Sequence, residues 1–263
     1  MTGTPGAAAP PVAKGLRSKQ PGSSLAALCF YEFVAWVMRV LTRVFYRAVS
    51  IDAHLVPQAG PVLLAANHQS FLDPPLIGIR VRHRHLNFIA RAGLFKFKPF
   101  GAIIGALNAL PINDEGGDLG AMKETIARLQ QGRAILIFPE GSRCDDGAVD
   151  AFKRGVALLV KKARCPVVPV AIEGAFDAWP NSRALPRLLG CRVYVKFGPP
   201  IAYDDLMADG AEAALETLRV RIDAMRRELR HRMRTETGGR FPAQSKGDEP
   251  LKQTTGPEGP VAS

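Results

Sequence analysis

Cysteine is scarce in this chain of 263 residues. Cys29, Cys144, Cys165 and Cys191 are widely scattered, and no two form a Cys-x-x-Cys pair. That argues against a disulfide framework or a zinc site and fits a reducing, cytosolic setting. A clean apolar leader is also missing. The first oily run begins near Leu25, carries arginines inside it and lacks a small-residue cleavage pattern, so no cleavable signal peptide is expected. There is no internal repeat. Acidic residues are outnumbered, leaving a net charge of +11 and a pI near 9.9, which attracts anionic surfaces in general. The chain has no helix-turn-helix, zinc-finger or aromatic-basic strand signature, so nucleic acid is not an expected partner. Acidic lipid headgroups are the other large anionic surface.

What is present is a hydrophobic fraction of 47%, enough for one sizeable domain with a real core. Residues 1–23 are rich in Ala, Pro, Gly and Ser and lack apolar periodicity, which reads as a flexible N-terminal segment. Residues 237–263 read the same way, as a disordered tail. Between them, residues 24–50 form an expected helix. Its Glu32, Arg39, Arg43 and Arg47 fall on one face, with Phe30, Phe33, Val37, Val40, Leu41, Val44 and Phe45 elsewhere around it. The run is long enough to span a bilayer, but arginines near a bilayer centre are costly. A helix lying in the membrane interface fits better. The alternative is a helix that packs its apolar side on the protein's own core.

Residues 51–236 alternate short apolar runs with helix-like segments. Strands are expected at 62–66, 86–90, 106–112, 134–138, 167–172 and 192–197, with helices at 118–131 and 153–163. This is the pattern of an α/β domain, a mostly buried mixed sheet flanked by helices. A last helix carries Leu215, Leu218, Ile222, Met225 and Leu229 as its seam. Its outer faces bear Arg219, Arg221, Arg226, Arg227, Arg230 and Arg232, read as a solvated basic face that could also attract an anionic membrane.

Two segments could carry chemistry. Asn67-His68-Gln69-Ser70-Phe71-Leu72-Asp73-Pro74-Pro75 follows an apolar strand directly, where function concentrates in α/β proteins. On a regular helix, a spacing of five would rotate His68 and Asp73 apart by roughly 140°. A turn that folds back could instead let Asp73 orient the imidazole through one nitrogen while the other faces substrate. A capping Asp beside a satisfied His explains the same residues. The second segment is Phe138-Pro139-Glu140-Gly141-Ser142-Arg143. Its Gly lets backbone approach a ligand and its Arg suits phosphate; an ordinary strand exit explains it equally. Lys153 and Arg154 follow closely.

Together these segments resemble the glycerophospholipid acyltransferase family, the 1-acyl-sn-glycerol-3-phosphate acyltransferases and their relatives. The family's first motif, Asn-His-x-x-x-x-Asp, matches Asn67, His68 and Asp73. Its third, Phe-Pro-Glu-Gly-Ser-Arg/Thr, matches Phe138 to Arg143, and its Val-Pro-Val strand matches Val168-Pro169-Val170. The resemblance implies that His68 is the general base, with Asp73 holding its imidazole. It implies acceptor binding by Glu140, Gly141, Ser142, Arg143 and Arg91, with Asn67, Pro139 and Pro169 shaping the site. It further implies lysophosphatidic acid as acceptor and an acyl-CoA or acyl-carrier-protein donor. No metal or other cofactor is implied, and the expected location is the cytoplasmic face of a membrane. The second motif departs from the family: Gly93 stands for its Glu, and Asp114 stands where its phosphate-binding Arg is expected. Compensating charge would then come from Arg91, Lys96 or Arg143, or the acceptor is another lysolipid.

Overall fold

The computed structural model describes residues 15–20, 22–112, 119–249 and 251. In chain order its elements are α1 (Leu25–Tyr46), β1 (Val49–Ile51), β2 (Val62–Ala66), α2 (Asp73–Gly78), β3 (Leu86–Arg91), α3 (Lys98–Ala106), β4 (Ala109–Ile112), α4 (Leu119–Gln130), β5 (Ala134–Ile137), α5 (Arg154–Ala163), β6 (Val167–Glu173), α6 (Ala175–Ala178), β7 (Tyr194–Phe197), α7 (Tyr203–Met207) and α8 (Ala211–Thr237). The strands form one sheet of order β1-β7-β6-β2-β5-β3-β4. It is parallel from β6 through β4, and β7 pairs antiparallel with β6.

The oiliness of the central strands follows from burial on both faces. Val62, Leu64 and Ala66 of β2 point into a core shared with α2, α6 and the end of α1. Leu63 and Ala65 point the other way, toward α4, α5, α7 and α8. This is the expected mixed sheet flanked by helices. Because β2 lies between β5 and β6, the loops leaving their C-terminal ends meet, which is where ligands bind in open α/β sheets.

Several boundaries differ from expectation. The strand expected from Ala106 starts at Ala109, because α3 runs on to Ala106 and Asn108 then takes a left-handed backbone (φ 68°) that ends the turn. Strand β1 begins within the last residues of the stretch read as helix. Arg47 turns left-handed there (φ 44°) and stops α1 without a glycine to announce it.

Both expected flexible ends are partly packed. Lys19 pairs with Glu32, and the side-chain amides of Gln20 and Asn108 exchange hydrogen bonds at 2.8 and 3.0 Å. Residues 1–14 lie outside the described residues. Beyond α8 the tail returns through a turn at Lys246–Asp248, and residues 252–263 lie outside the description. Polar contacts hold the N-terminal end, and in the tail they act beside Phe241 and Leu251, isolated apolar residues packed on the core that form no periodic pattern.

The basic face expected on α8 holds for Arg221, Arg227 and Arg232, which are exposed, and is corrected for Arg219, Arg226 and Arg230, which are buried. Arg226 is fully buried and Arg230 nearly so. Arg226 Nη1 donates to Glu173 Oε2 at 3.2 Å, and Arg230 Nη1 donates to Glu173 Oε1 at 2.6 Å. Arg226 also bonds Asp223 Oδ1 and the Gly247 carbonyl, while Arg230 Nε reaches Asp248 Oδ1. Helix α8 and the tail are thereby pinned to the end of β6.

Helix α1 begins at Ser24, whose Oγ accepts the Ala27 N–H at 3.2 Å. It faces the protein with Leu28, Tyr31, Ala35, Thr42 and Tyr46, and its Glu32 pairs with Arg39 and His85. Phe33, Trp36 and Val44 are 62%, 59% and 64% exposed, beside exposed Phe30, Val40 and Leu41. The expectation of a broad apolar face free of the core matches this arrangement. The polar stripe splits: Glu32 and Arg39 turn inward, whereas Arg43 and Arg47 are exposed. Among the described residues α1 alone is long and apolar enough to cross a membrane.

Candidate active site

The backbone leaves β2 at Ala66 and is caught at once. Buried Asn67 donates from Nδ2 to the Ile172 carbonyl at 2.9 Å and accepts the Ile172 N–H on Oδ1 at 2.8 Å. This two-pronged bond continues the β2–β6 ladder by one side chain. Pro169, on β6 opposite Ala65, accepts the Gly198 N–H on its carbonyl at 2.8 Å.

The chain then folds back, so that His68 Nδ1 lies 2.8 Å from Asp73 Oδ2. The same oxygen accepts the main-chain N–H of Gln69 at 2.6 Å and of Ser70 at 2.7 Å. Asp73 is not a helix cap. It is the first residue of α2, ahead of Pro74 and Pro75, and its side chain reaches upstream. Its carboxyl is wholly buried, which raises it above the usual range, while the bond to His68 pulls the other way. With Nδ1–H directed at a carboxylate, Nε2 is the acceptor nitrogen. Among the described residues nothing bonds Nε2, and the imidazole is 18% exposed.

The stretch from Phe138 to Cys144 holds His68 at three points. Phe138 stacks on the imidazole, ring centroids 4.0 Å apart. Glu140 Oε1 accepts the His68 N–H at 2.7 Å, and the His68 carbonyl accepts the Cys144 N–H at 2.8 Å. Glu140 Oε2 accepts the Asp150 N–H at 3.0 Å. Buried to 2% exposure, with both oxygens engaged by backbone, Glu140 is not presented to an acceptor as the resemblance implied. Burial pushes its carboxyl up to about 8, against the pull of those two N–H groups.

Gly141 and Ser142 are exposed beside it. Gly141 has φ 74°, and a Cβ there would stand 3.2 Å from Lys153 Cγ, so the Lys153 stem lies across the turn. The sequence places Lys153 a short loop further on; the tertiary structure brings its stem against Gly141. Arg143 places its guanidinium 3.5 Å from the centroid of the Phe71 ring, a cation–π contact at the edge of the His68 loop. Pro139 sits at the turn, and its carbonyl accepts the Lys153 N–H at 2.8 Å. Arg91 ends β3 paired with Ile112, away from β2 by one intervening strand; its side chain and Asp114 lie outside the description. Among the described residues no cluster of three His, Cys, Asp or Glu could hold a metal.

A family model described as acyltransferase matches residues 47–173, which contain both motifs. A 1-acyl-sn-glycerol-3-phosphate acyltransferase of Chlamydomonas reinhardtii is 30% identical over 66% of this chain and 53% of its own length. The Bacillus subtilis 1-acyl-sn-glycerol-3-phosphate acyltransferase is 24% identical over 55% of this chain and 71% of its own. Two chloroplastic relatives, from Arabidopsis thaliana and Brassica napus, are matched over only 43% and 45% of their lengths. The crystal structure of the 1-acyl-sn-glycerophosphate acyltransferase PlsC from Thermotoga maritima superposes with a TM-score of 0.60 at 25% identity, covering 74% of this chain and 80% of that one. Residues 47–173 thus match the acyltransferase family model, and the curated relatives that the chain resembles are 1-acyl-sn-glycerol-3-phosphate acyltransferases.

Proposed function

We propose that the protein transfers a fatty-acyl group from an acyl thioester to the free hydroxyl of lysophosphatidic acid. The observation that carries this reading is the His68–Asp73 pair at 2.8 Å with Nε2 open, set among the motifs of the family. His68 Nε2 takes the hydroxyl proton as that oxygen attacks the thioester carbonyl carbon. Asp73 holds the imidazole in the required tautomer and stabilises the imidazolium. When the carbon–sulfur bond breaks, the proton passes to the leaving thiolate. Glu140 positions His68 through its main chain. Arg143 and Lys153, with the exposed backbone of Gly141 and Ser142, meet the acceptor phosphate. Asn67, Pro139 and Pro169 shape the site.

Coenzyme A or a carrier protein supplies the thioester, and the mechanism assigned to His68 calls on no metal. The bare face of α1 lies in the membrane interface with Arg43 and Arg47 at headgroup level. All four cysteines are free thiols, which favours the cytoplasmic face of that membrane.

The test is a transfer assay in detergent with labelled acyl-CoA and acyl-carrier protein against a panel of lysolipids, beside His68→Ala. Transfer to lysophosphatidic acid that is lost in the variant is expected, unchanged by EDTA. Undiminished transfer by His68→Ala would overturn the mechanism, and a preference for another lysolipid would overturn the acceptor.

A further inference from the structure

The loop between α6 and β7, residues 180–190, exposes Leu185 and Leu189 at 75% and 72%, the barest large apolar side chains described, with Leu188 at 52%. Folding leaves three leucines in water on a segment that forms no helix or strand. The stretch Pro180-Asn181-Ser182-Arg183-Ala184-Leu185-Pro186-Arg187-Leu188-Leu189-Gly190 contains two arginines, both exposed, and no acidic residue.

Both ends of the loop are fixed at informative places. At its start the Trp179 carbonyl accepts the Ser70 Oγ–H at 2.8 Å, and the Trp179 ring lies 5.3 Å from Phe71. Ser70 and Phe71 belong to the His68 turn, and Phe71 is itself 45% exposed. At its far end Cys191 shares a core cluster with Tyr46, the last residue of α1, and the Val193 N–H donates to the Tyr46 carbonyl at 3.1 Å. The loop therefore bridges the mouth of the site and the end of α1.

We propose that residues 180–190 are a second membrane-docking element. Leu185, Leu188 and Leu189 enter the acyl layer of an anionic bilayer while Arg183 and Arg187 meet lipid phosphates. The occupant is a lipid surface because leucines flanked only by cations match apolar chains beneath anionic headgroups. Arg187 also lies near Asp177 at the base of the loop. The inference rests on the lysolipid acyltransferase reading, which requires a lipid acceptor to reach His68. Docking beside Phe71 holds the site mouth at headgroup depth.

The test uses the full chain carrying Cys29→Ser and Leu188→Cys, the new thiol labelled with a polarity-sensitive fluorophore; the other three cysteines are buried. With phosphatidylcholine vesicles containing phosphatidylglycerol, the emission should shift to the blue and be quenched by acyl-chain spin labels. Without phosphatidylglycerol both effects should weaken. A label that stays water-exposed on vesicle-bound protein would overturn the proposal. In parallel, L185D/L188D/L189D should keep its transfer rate in detergent and lose about 10–100-fold in vesicle partition; unchanged partition would also overturn it. Wild-type protein silent in detergent would instead defeat the enzymatic reading, and the label would still decide the loop.

Discussion

Glu140 stands 72 positions from His68 in the chain, yet its Oε1 accepts the His68 main-chain N–H at 2.7 Å. Its other oxygen accepts the Asp150 N–H, so one buried carboxyl ties the turn after β2 to the loop after β5. The His68 imidazole is thus held by main-chain bonds and a stacked ring as well as by Asp73. Each tie affects a different measurable quantity.

Asp73→Asn can keep an oxygen toward the three donors while removing the negative charge beside the imidazole. Turnover should fall by about 10²–10⁴-fold, the scale of a lost acid–base partner. Single-turnover kinetics together with circular dichroism would check this. A folded variant with wild-type turnover would exclude Asp73 from the mechanism.

Glu140→Gln places an amide donor against one of two backbone donors, so destabilisation of about 1–3 kcal/mol is expected by urea titration. The pH dependence has a definite sign. A carboxyl raised from 4.5 to about 8 on folding contributes stability that is complete below its ordinary range and lost as pH rises through about 8. Asp73 and Asp177 are also raised by burial and act in the same direction. Thermal midpoints followed from about pH 7 to about pH 9, above the range in which buried His83 and His85 act in the opposite direction, should therefore fall, and fall less steeply in Glu140→Gln.

Arg143→Ala should raise KM for lysophosphatidic acid by about 10–100-fold with a smaller effect on kcat, since a charge-assisted bond contributes about 1.5–3 kcal/mol. Lys153→Met should act the same way, because its stem crosses Gly141. A loss confined to kcat in either variant would move that residue away from the phosphate.

Glu173→Gln leaves buried Arg226 and Arg230 without their shared carboxylate. Removing one member of a buried pair costs about 3–5 kcal/mol, visible as an earlier denaturation midpoint. Truncation after Thr237 removes Asp248 and the Gly247 carbonyl and should destabilise in the same direction by a smaller amount. Unchanged midpoints would mean that the tail is not part of the fold's stability.

For α1, deleting residues 1–49 would also remove Leu28, Tyr31 and Tyr46 from the core, so point substitutions are the sharper test. Phe33→Asp with Val44→Asp changes only exposed positions. It should weaken vesicle sedimentation at least about tenfold while sparing the thermal midpoint. Sedimentation equal to wild type would mean that this face does not meet lipid.

The sequence alone determined the α/β class, the positions of most strands along the chain and the two segments that meet at the site. Strands buried on both faces are written as unbroken apolar runs, and Asn67-His68 and Phe138-Pro139-Glu140-Gly141 each follow one of them directly. It also located the long apolar helix at the N-terminal side. Only the tertiary structure decided what each polar residue does. Whether Glu140 faces ligand or backbone depends on β5 lying beside β2, a neighbour relation that local periodicity does not encode. Buried Arg226 and Arg230 look like any helical arginines until Glu173 and Asp248 are brought to them across the sheet and from the tail. The His68–Asp73 pair needed the same step. A spacing of five that a regular helix would separate becomes a 2.8 Å contact because the chain turns back before α2 begins at Asp73.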